Sequence, residues 1–334
     1  MGEALYLEKL FVKMFSLLFI AQVSTFPQKL NIFSQISSNH IASRMKELFL
    51  QKKFIIVVAG PTATGKSDYA VNLALKENGE VISVDSRQMY KGLDIGSGKI
   101  TIEEMKGVSH HMLSLYDVEG ESVSVVSYTK DALKVIEEIF ARGKVPILCG
   151  GGGQYLQALL YEKDFPKVSK NEELRKSFAA FSTEELADKL KTKDDNRFNS
   201  IDKSNRVRLI RALEICEAVG KVPTEEELEP RFDATIFLLE AGREALRQRI
   251  ETRLEKRLHI GMVDEVRSLL KNGVSAERLI SLGLEYKYCT LFIQGTITFA
   301  EMKEQLKNKI WQYAKRQMTW NKKYLGNAVV VKVA

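Results

Sequence analysis

Val57–Ala70, VVAGPTATGKSDYA, is the stretch from which the chain is best read. Gly60, Gly65, Lys66 and Ser67 satisfy the spacing GxxxxGK[ST], behind a β-branched run, KFIIVVAG, and ahead of a helical pattern. In that context the motif folds as a loop around a phosphate. Its glycines let the backbone wrap the anion, amide hydrogens and the following helix N-terminus point inward, Lys66 neutralises charge and Ser67 can ligate Mg²⁺. The expected diphosphate-binding set is Gly60, Pro61, Thr62, Ala63, Thr64, Gly65, Lys66 and Ser67, with Ser67 as the metal ligand. The motif leaves open what happens to the phosphate, since kinases, nucleotide hydrolases and diphosphate-releasing transferases all use such a loop.

Outward from the loop the pattern is α/β. EVISVDS and KVPILCGG are further strand-like runs ending in polar residues or glycine, and SYTKDALKVIEEIFARG has helical periodicity. Alternating strands and helices imply a parallel sheet whose ligands sit at the strands' carboxyl ends. Asp164 to Gly220 is polar and helix-forming, and DATIFLLEAG then restores a strand. Two long helical patterns follow, Arg243 to Lys271 and Phe299 to Lys323. The expected fold is a P-loop NTPase-like parallel sheet flanked by helices. Its core comprises residues 52–163 and 227–334, and a helical insertion domain covers 164–226.

The 334 residues are 45% hydrophobic and 28% charged, enough to bury a substantial core over about two domains. A net charge of +7 suits a polyanionic partner, because Lys and Arg displacing counterions supply most sequence-independent nucleic-acid affinity. Three widely spaced cysteines, Cys149, Cys216 and Cys289, indicate neither a disulfide framework nor a CxxC metal site, and fit a reducing compartment. Residues 1–50 stand apart as an N-terminal extension. Phe15–Val23 is apolar but too short to span a bilayer, and only Glu3 and Glu8 are acidic before Arg44. The extension reads either as an organellar targeting peptide or as a start-site artefact upstream of Met45. The expectation is a cytoplasmic protein unless the extension targets it to an organelle, with no membrane association.

The second strand runs into SVDSRQMYKGLDIGSGK, which places Asp85 beside the phosphate loop as a magnesium ligand, a helix cap or a carboxylate facing substrate. Together, GPTATGKS, SVDSRQMYKGLDIGSGK, SHHML, VPILCGGGGQYLQALL, RVRLIRALEI and AKRQMTW closely resemble the tRNA dimethylallyltransferase family, over nearly the whole chain after the extension. The resemblance implies transfer of a prenyl group from dimethylallyl diphosphate to the exocyclic amine of the adenosine 3′-adjacent to the tRNA anticodon. Diphosphate leaves and Mg²⁺ is the cofactor; separately from the resemblance, a monomer is expected. The resemblance implies that Asp85 is the general base or hydrogen-bond acceptor for the adenine amine, with Lys66 and Arg243 completing the catalytic set by binding diphosphate. It also implies RNA contacts from Asp85, Ser86, Arg87 and Gln88, from Gly152 and from Arg175 in the insertion; the basic C-terminal helix adds Lys315, Arg316 and Gln317 as expected RNA contacts.

Arg208 and Arg211 lie three apart on one helical face, which suits phosphate contact. Lys303–Lys323 carries seven basic residues and one acidic, interleaved with Trp311, Tyr313 and Trp320. That mixture suits either RNA stacking or an ordinary core stripe of Leu306, Ile310, Trp311, Ala314 and Met318. His110 and His111 have no metal spacing, so structural roles are expected. Where the family reads GGTGxY, this chain has Gly152 in place of threonine, which removes a hydroxyl near the reaction centre and implies a slow enzyme. Asn321 follows the TW motif in place of an aromatic. An adenylate prenyltransferase and a P-loop small-molecule kinase are the enzyme rivals, and a non-catalytic RNA-binding relative is the third.

Overall fold

A computed structural model describes residues 53–120, 122–151, 153–162, 168–223 and 229–333. The expectations for residues 1–50 and for Gly152 fall outside the described residues. Elements run in the order β1 Phe54–Ala59, α1 Lys66–Glu77, β2 Gly79–Ser83, α2 Ile102–Met105, β3 His110–His111, α3 Val125–Ala141, β4 Val145–Gly150 and α4 Gly153–Leu160. Next come α5 Glu172–Phe178, α6 Thr183–Lys193, α7 Asp195–Ser200 and α8 Arg206–Val219. The chain then forms β5 Asp233–Glu240, α9 Arg243–His259, α10 Met262–Lys271, α11 Ala276–Leu282, α12 Leu284–Ile293, α13 Phe299–Tyr324 and β6 Val329–Lys332.

The six strands form one parallel sheet in the order β3-β2-β4-β1-β5-β6. Side chains alternate across each strand, so β1 feeds two cores. Ile55 and Val57 join Ile82, Leu148 and the α3 residues Tyr128, Ile136 and Ile139 on one face. Ile56 and Val58 join Val81, Ile147 and the α1 residues Ala70, Val71 and Ala74 on the other. Burial of both faces is why these strands read as continuous apolar runs. The sheet's outermost strands were not legible in this way: β3 has two residues, and β6 is a mostly exposed edge.

The expected helix Arg243–Lys271 is two helices, because Gly261 at φ 105° turns the chain after His259. A left-handed residue ends α9, and glycine takes that conformation without steric cost. α9 to α13 share an apolar cluster that includes Leu246, Ile250, Leu254, Leu306, Ile310 and Ala314. The core-stripe alternative therefore holds for the buried face of α13, and the Arg247 guanidinium stacks on Trp311, 4.7 Å from its ring centre. The insertion helices α5–α8 enclose their own cluster of Phe178, Leu186, Leu190, Leu209 and Leu213. No described helix is long and apolar enough to cross a membrane.

Candidate active site

β1, β2 and β4 deliver their carboxyl ends to one cleft of about 1270 Å³, walled on its far side by α9, the α11–α12 junction and α13. The phosphate loop forms its floor. Gly60 sits at φ 150°, where an added Cβ would meet the Leu239 carbonyl oxygen at 2.6 Å; Gly65 sits at φ 79° and starts α1. Gly60 has no room for a side chain, and glycine takes the left-handed conformation at Gly65 without steric cost. Ala63 also has φ 64°, a conformation that a side chain enters only when its surroundings enforce it. The Pro61 carbonyl accepts hydrogen bonds from Thr64 Oγ1 at 2.9 Å and Lys66 Nζ at 2.7 Å. Burial lowers the Lys66 pKa to about 8, with the Arg253 guanidinium pushing the same way against Cys149 and Asp85. Ser67 is exposed in the first turn of α1 and lines the same cleft.

Asp85, past the end of β2, faces this floor. Its Oδ1 accepts the Arg87 backbone N–H at 2.8 Å, a local turn that fixes the carboxylate without occupying both oxygens. The following residues are tied down: Arg87 Nε donates to the Leu282 carbonyl at 2.8 Å, and Gln88 bridges Ser83 Oγ at 2.7 Å and the Gly98 carbonyl at 3.2 Å. Asp85, Ser86, Arg87 and Gln88 all line the cleft beside Lys66.

Arg243, expected to bind diphosphate, is the exposed first residue of α9 and does not line the cleft. The buried stripe Leu246, Ile250 and Leu254 orients the helix so that Arg253 and Arg257, more than two turns further on, face inward. Arg253 Nη1 donates to Thr62 Oγ1 at 3.1 Å. Arg257 Nη1 donates to the Gly96 carbonyl and to Glu285 Oε1, each at 3.2 Å. A Cβ on Gly98 would fall 1.6 Å from Arg257 Nη2 and 2.2 Å from Arg253 Nη2, so both guanidinium ends converge over that glycine. Burial, with Arg257 adding to it, lowers the Arg253 pKa to about 10, while burial raises that of Glu285. Arg257 Nη2 is buried and makes no hydrogen bond. These are the features of an anion site with one charge still to be met. A readable signal existed: Arg249, Arg253 and Arg257 recur at i+4 alongside the apolar stripe.

The basic residues expected to touch RNA divide into two groups. Arg208, Lys315 and Arg316 are exposed, and Arg316 also lines the cleft. Arg175 and Arg211 are engaged instead by the buried Glu214: Arg175 reaches it through Nε at 2.6 Å and Nη2 at 2.9 Å, and Arg211 Nη1 at 3.2 Å. Arg211 Nη2 further donates to the Val168 carbonyl at 2.6 Å. Gln317, likewise expected at the RNA surface, is buried, with both ends of its carboxamide bonded to protein. His111 pairs with the buried Glu80 at 2.6 Å, and His110 with the Val108 carbonyl at 2.9 Å, both structural arrangements.

Among the described residues no group of three or more His, Cys, Asp or Glu could cage a metal ion. A Mg²⁺ bound chiefly through substrate phosphates and water needs only one or two protein oxygens. The Ser67 hydroxyl, exposed beside the loop, fits that role.

The sequence pattern of the IPP transferase family matches residues 88–324. A tRNA dimethylallyltransferase 2 from Treponema denticola is 43% identical over 281 residues, covering 83% of this chain and 94% of the relative. One from Porphyromonas gingivalis is 40% identical over 268 residues, covering 80% and 88%. Among solved structures, a tRNA isopentenylpyrophosphate transferase from Bacillus halodurans superposes with TM-score 0.64 at 33% identity, covering 84% of this chain and 90% of that one. A eukaryotic dimethylallyltransferase studied acting on tRNA gives TM-score 0.72 at 29% identity, covering 84% and 74%. A parallel sheet with a phosphate loop, a carboxylate at the end of β2 and these likenesses agree, and the chain belongs to the IPP transferase family.

Proposed function

We infer that the protein transfers a dimethylallyl group from dimethylallyl diphosphate to the exocyclic amine of the adenosine 3′-adjacent to the anticodon in tRNA. The observation that carries this reading is the convergence, in one cleft, of a phosphate loop, two incompletely compensated arginines and a carboxylate, beside a helix with exposed Lys315 and Arg316. The amine nitrogen attacks the allylic carbon as that carbon's bond to oxygen breaks, the bonding pair leaves with diphosphate, and Asp85 takes the amine proton. An aromatic amine is a weak nucleophile, so a positioned base assists as the new bond forms. Lys66, Arg253, Arg257 and the loop amides meet the charge that grows on the leaving group, in a site where such contacts are strong. Ser67 would hold Mg²⁺, which supplies further positive charge to the departing oxygens.

The adenosine must leave its stack to reach Asp85 at the cleft floor. Arg208, Lys315 and Arg316 would grip the RNA backbone from outside, and the protein would act as a monomer. Incubation with labelled dimethylallyl diphosphate and either tRNA or AMP tests the reading. Label is expected in tRNA alone; label in AMP alone would assign the protein to free nucleotides.

A further inference from the structure

Glu265 lies on α10 and does not line the cleft, yet its carboxylate is tied to the cleft wall. It accepts three consecutive backbone N–H groups: Asp94 and Ile95 on Oε2 at 3.0 and 2.6 Å, and Gly96 on Oε1 at 3.0 Å. The Tyr286 hydroxyl also donates to Oε1 at 3.0 Å, and it accepts the Ser97 N–H at 3.0 Å. Tyr286 is 1% exposed; burial, with the Glu265 charge adding to it, raises its pKa well above the ordinary value, so the hydroxyl keeps the proton with which it donates. Four donors thus meet two oxygens, and only an ionised carboxylate accepts from all of them. A carboxamide would turn its NH2 toward at least one backbone N–H in either orientation.

The segment held in this way is the one on which the cleft's arginines rest. Gly96 is fixed at both ends: its N–H lies on Glu265, and its carbonyl accepts from Arg257 Nη1 at 3.2 Å. A Cβ on Gly96 would lie 2.8 Å from the Tyr286 ring, so this backbone packs directly on the tyrosine. Two residues on, Gly98 lies beneath the ends of both guanidinium groups. Any shift of Gly96 therefore moves the acceptor that aims Arg257, whose Nη2 is buried and makes no hydrogen bond. We propose that Glu265 is a positioning residue for the anion site: by gathering the amides of Asp94, Ile95 and Gly96 it places the Gly96 carbonyl, and so sets how Arg257 meets diphosphate. The proposal rests on the reading of this cleft as the diphosphate site and adds the group behind it that aims one of its arginines. A guanidinium binds phosphate oxygens through a rigid fork of donors, so a misdirected fork loses contacts that its charge alone does not restore.

Calorimetry with inorganic diphosphate tests this as a double-mutant cycle. Glu265→Gln is expected to weaken diphosphate binding about tenfold while leaving affinity for an anticodon stem-loop unchanged. Arg257→Met should weaken it by about ten- to a hundredfold. The double variant should bind diphosphate as Arg257→Met does, to within about twofold, because Glu265 acts through that arginine. General loosening of the fold would instead add its own loss to that of Arg257→Met. Tyr286→Phe removes one of the four donors and keeps the ring against Gly96, so it should cost about threefold, again only while Arg257 is present. Unchanged diphosphate affinity in a folded Glu265→Gln protein, or additive losses in the double variant, overturns the proposal. If Glu265→Gln does not fold, a Tyr286→Phe protein with natural diphosphate affinity, or with a loss that adds to that of Arg257→Met, does so. Transfer of the prenyl group to AMP in place of tRNA would count against the functional reading alone.

Discussion

Two sites in this molecule hold the same ingredients, two arginines and one glutamate, and use them in opposite ways. In the insertion, Glu214 receives Arg175 twice, Arg211 once and the Asn171 N–H at 3.1 Å. Burial works against its charge, but these hydrogen bonds more than offset it and hold the carboxyl down at about 2. In the cleft, Glu285 receives a single arginine, Arg257, together with a backbone N–H, burial pushes its carboxyl up, and Arg257 Nη2 is left without a hydrogen bond. The first arrangement is complete within the protein; the second leaves a buried guanidinium nitrogen unbonded, which suits the anion site proposed above. Arginines therefore have to be judged by the acceptors around them, because a buried charge without a partner is costly until something arrives to meet it.

The largest effect is expected where the cleft does chemistry. Asp85→Asn should keep the local turn to Arg87 and the RNA affinity while single-turnover prenylation falls by roughly 10²–10⁴. Equal activity would show that the amine needs no carboxylate and that charge alone defines the cleft.

The insertion cluster gives a stability effect instead. Arg175→Met leaves a buried carboxylate with Arg211 and one backbone N–H in place of two arginines, so unfolding free energy should drop by about 3 kcal/mol, with the donor affinity of the folded protein unchanged. Its pH dependence has a fixed sign. A carboxyl held at about 2, against an ordinary 4.5, contributes full stability above the ordinary value and loses it as pH falls toward the lower one. Denaturant titrations between those limits should show acid sensitivity that Glu214→Gln reduces, Glu80, also held at about 2, supplying the part that remains. A stable, acid-indifferent natural protein would erase the contrast between the two sites.

A smaller effect sharpens the cleft itself. Arg253→Met should weaken binding of inorganic diphosphate by about ten- to a hundredfold, the equivalent of one charge-assisted contact. Arg243→Met, at the exposed end of the same helix, should leave it unchanged. If the two variants exchange outcomes, the diphosphate lies over the start of α9.

The smallest effects belong to the exposed cations. Arg208→Ala and Arg316→Ala should each flatten the log–log salt dependence of tRNA binding by about 0.7–0.9 for a lost phosphate contact. Arg211→Lys, engaged within the protein, should leave the slope as it is. A slope that tracks Arg211 and ignores Arg208 would show that the Glu214 cluster opens to RNA.

The sequence alone determined whatever depends on near neighbours. Gly60, Gly65, Lys66 and Ser67 define the loop because wrapping a phosphate needs that spacing of flexible, cationic and hydroxyl residues at one strand-to-helix turn. The apolar runs of β1, β2 and β4 announced a parallel sheet because both of its faces are buried there. Only the tertiary structure decided which basic residues are available. Arg243 and Arg253 lie on one helix, but its packing turns Arg253 toward Thr62 and leaves Arg243 outside. Arg175 looks available until Glu214, on α8, is folded against it, and Gln317 looks like surface until Thr62 lies 2.8 Å away, 255 positions back along the chain. Charge compensation and desolvation depend on neighbours in space, and no local spacing encodes which residues those will be.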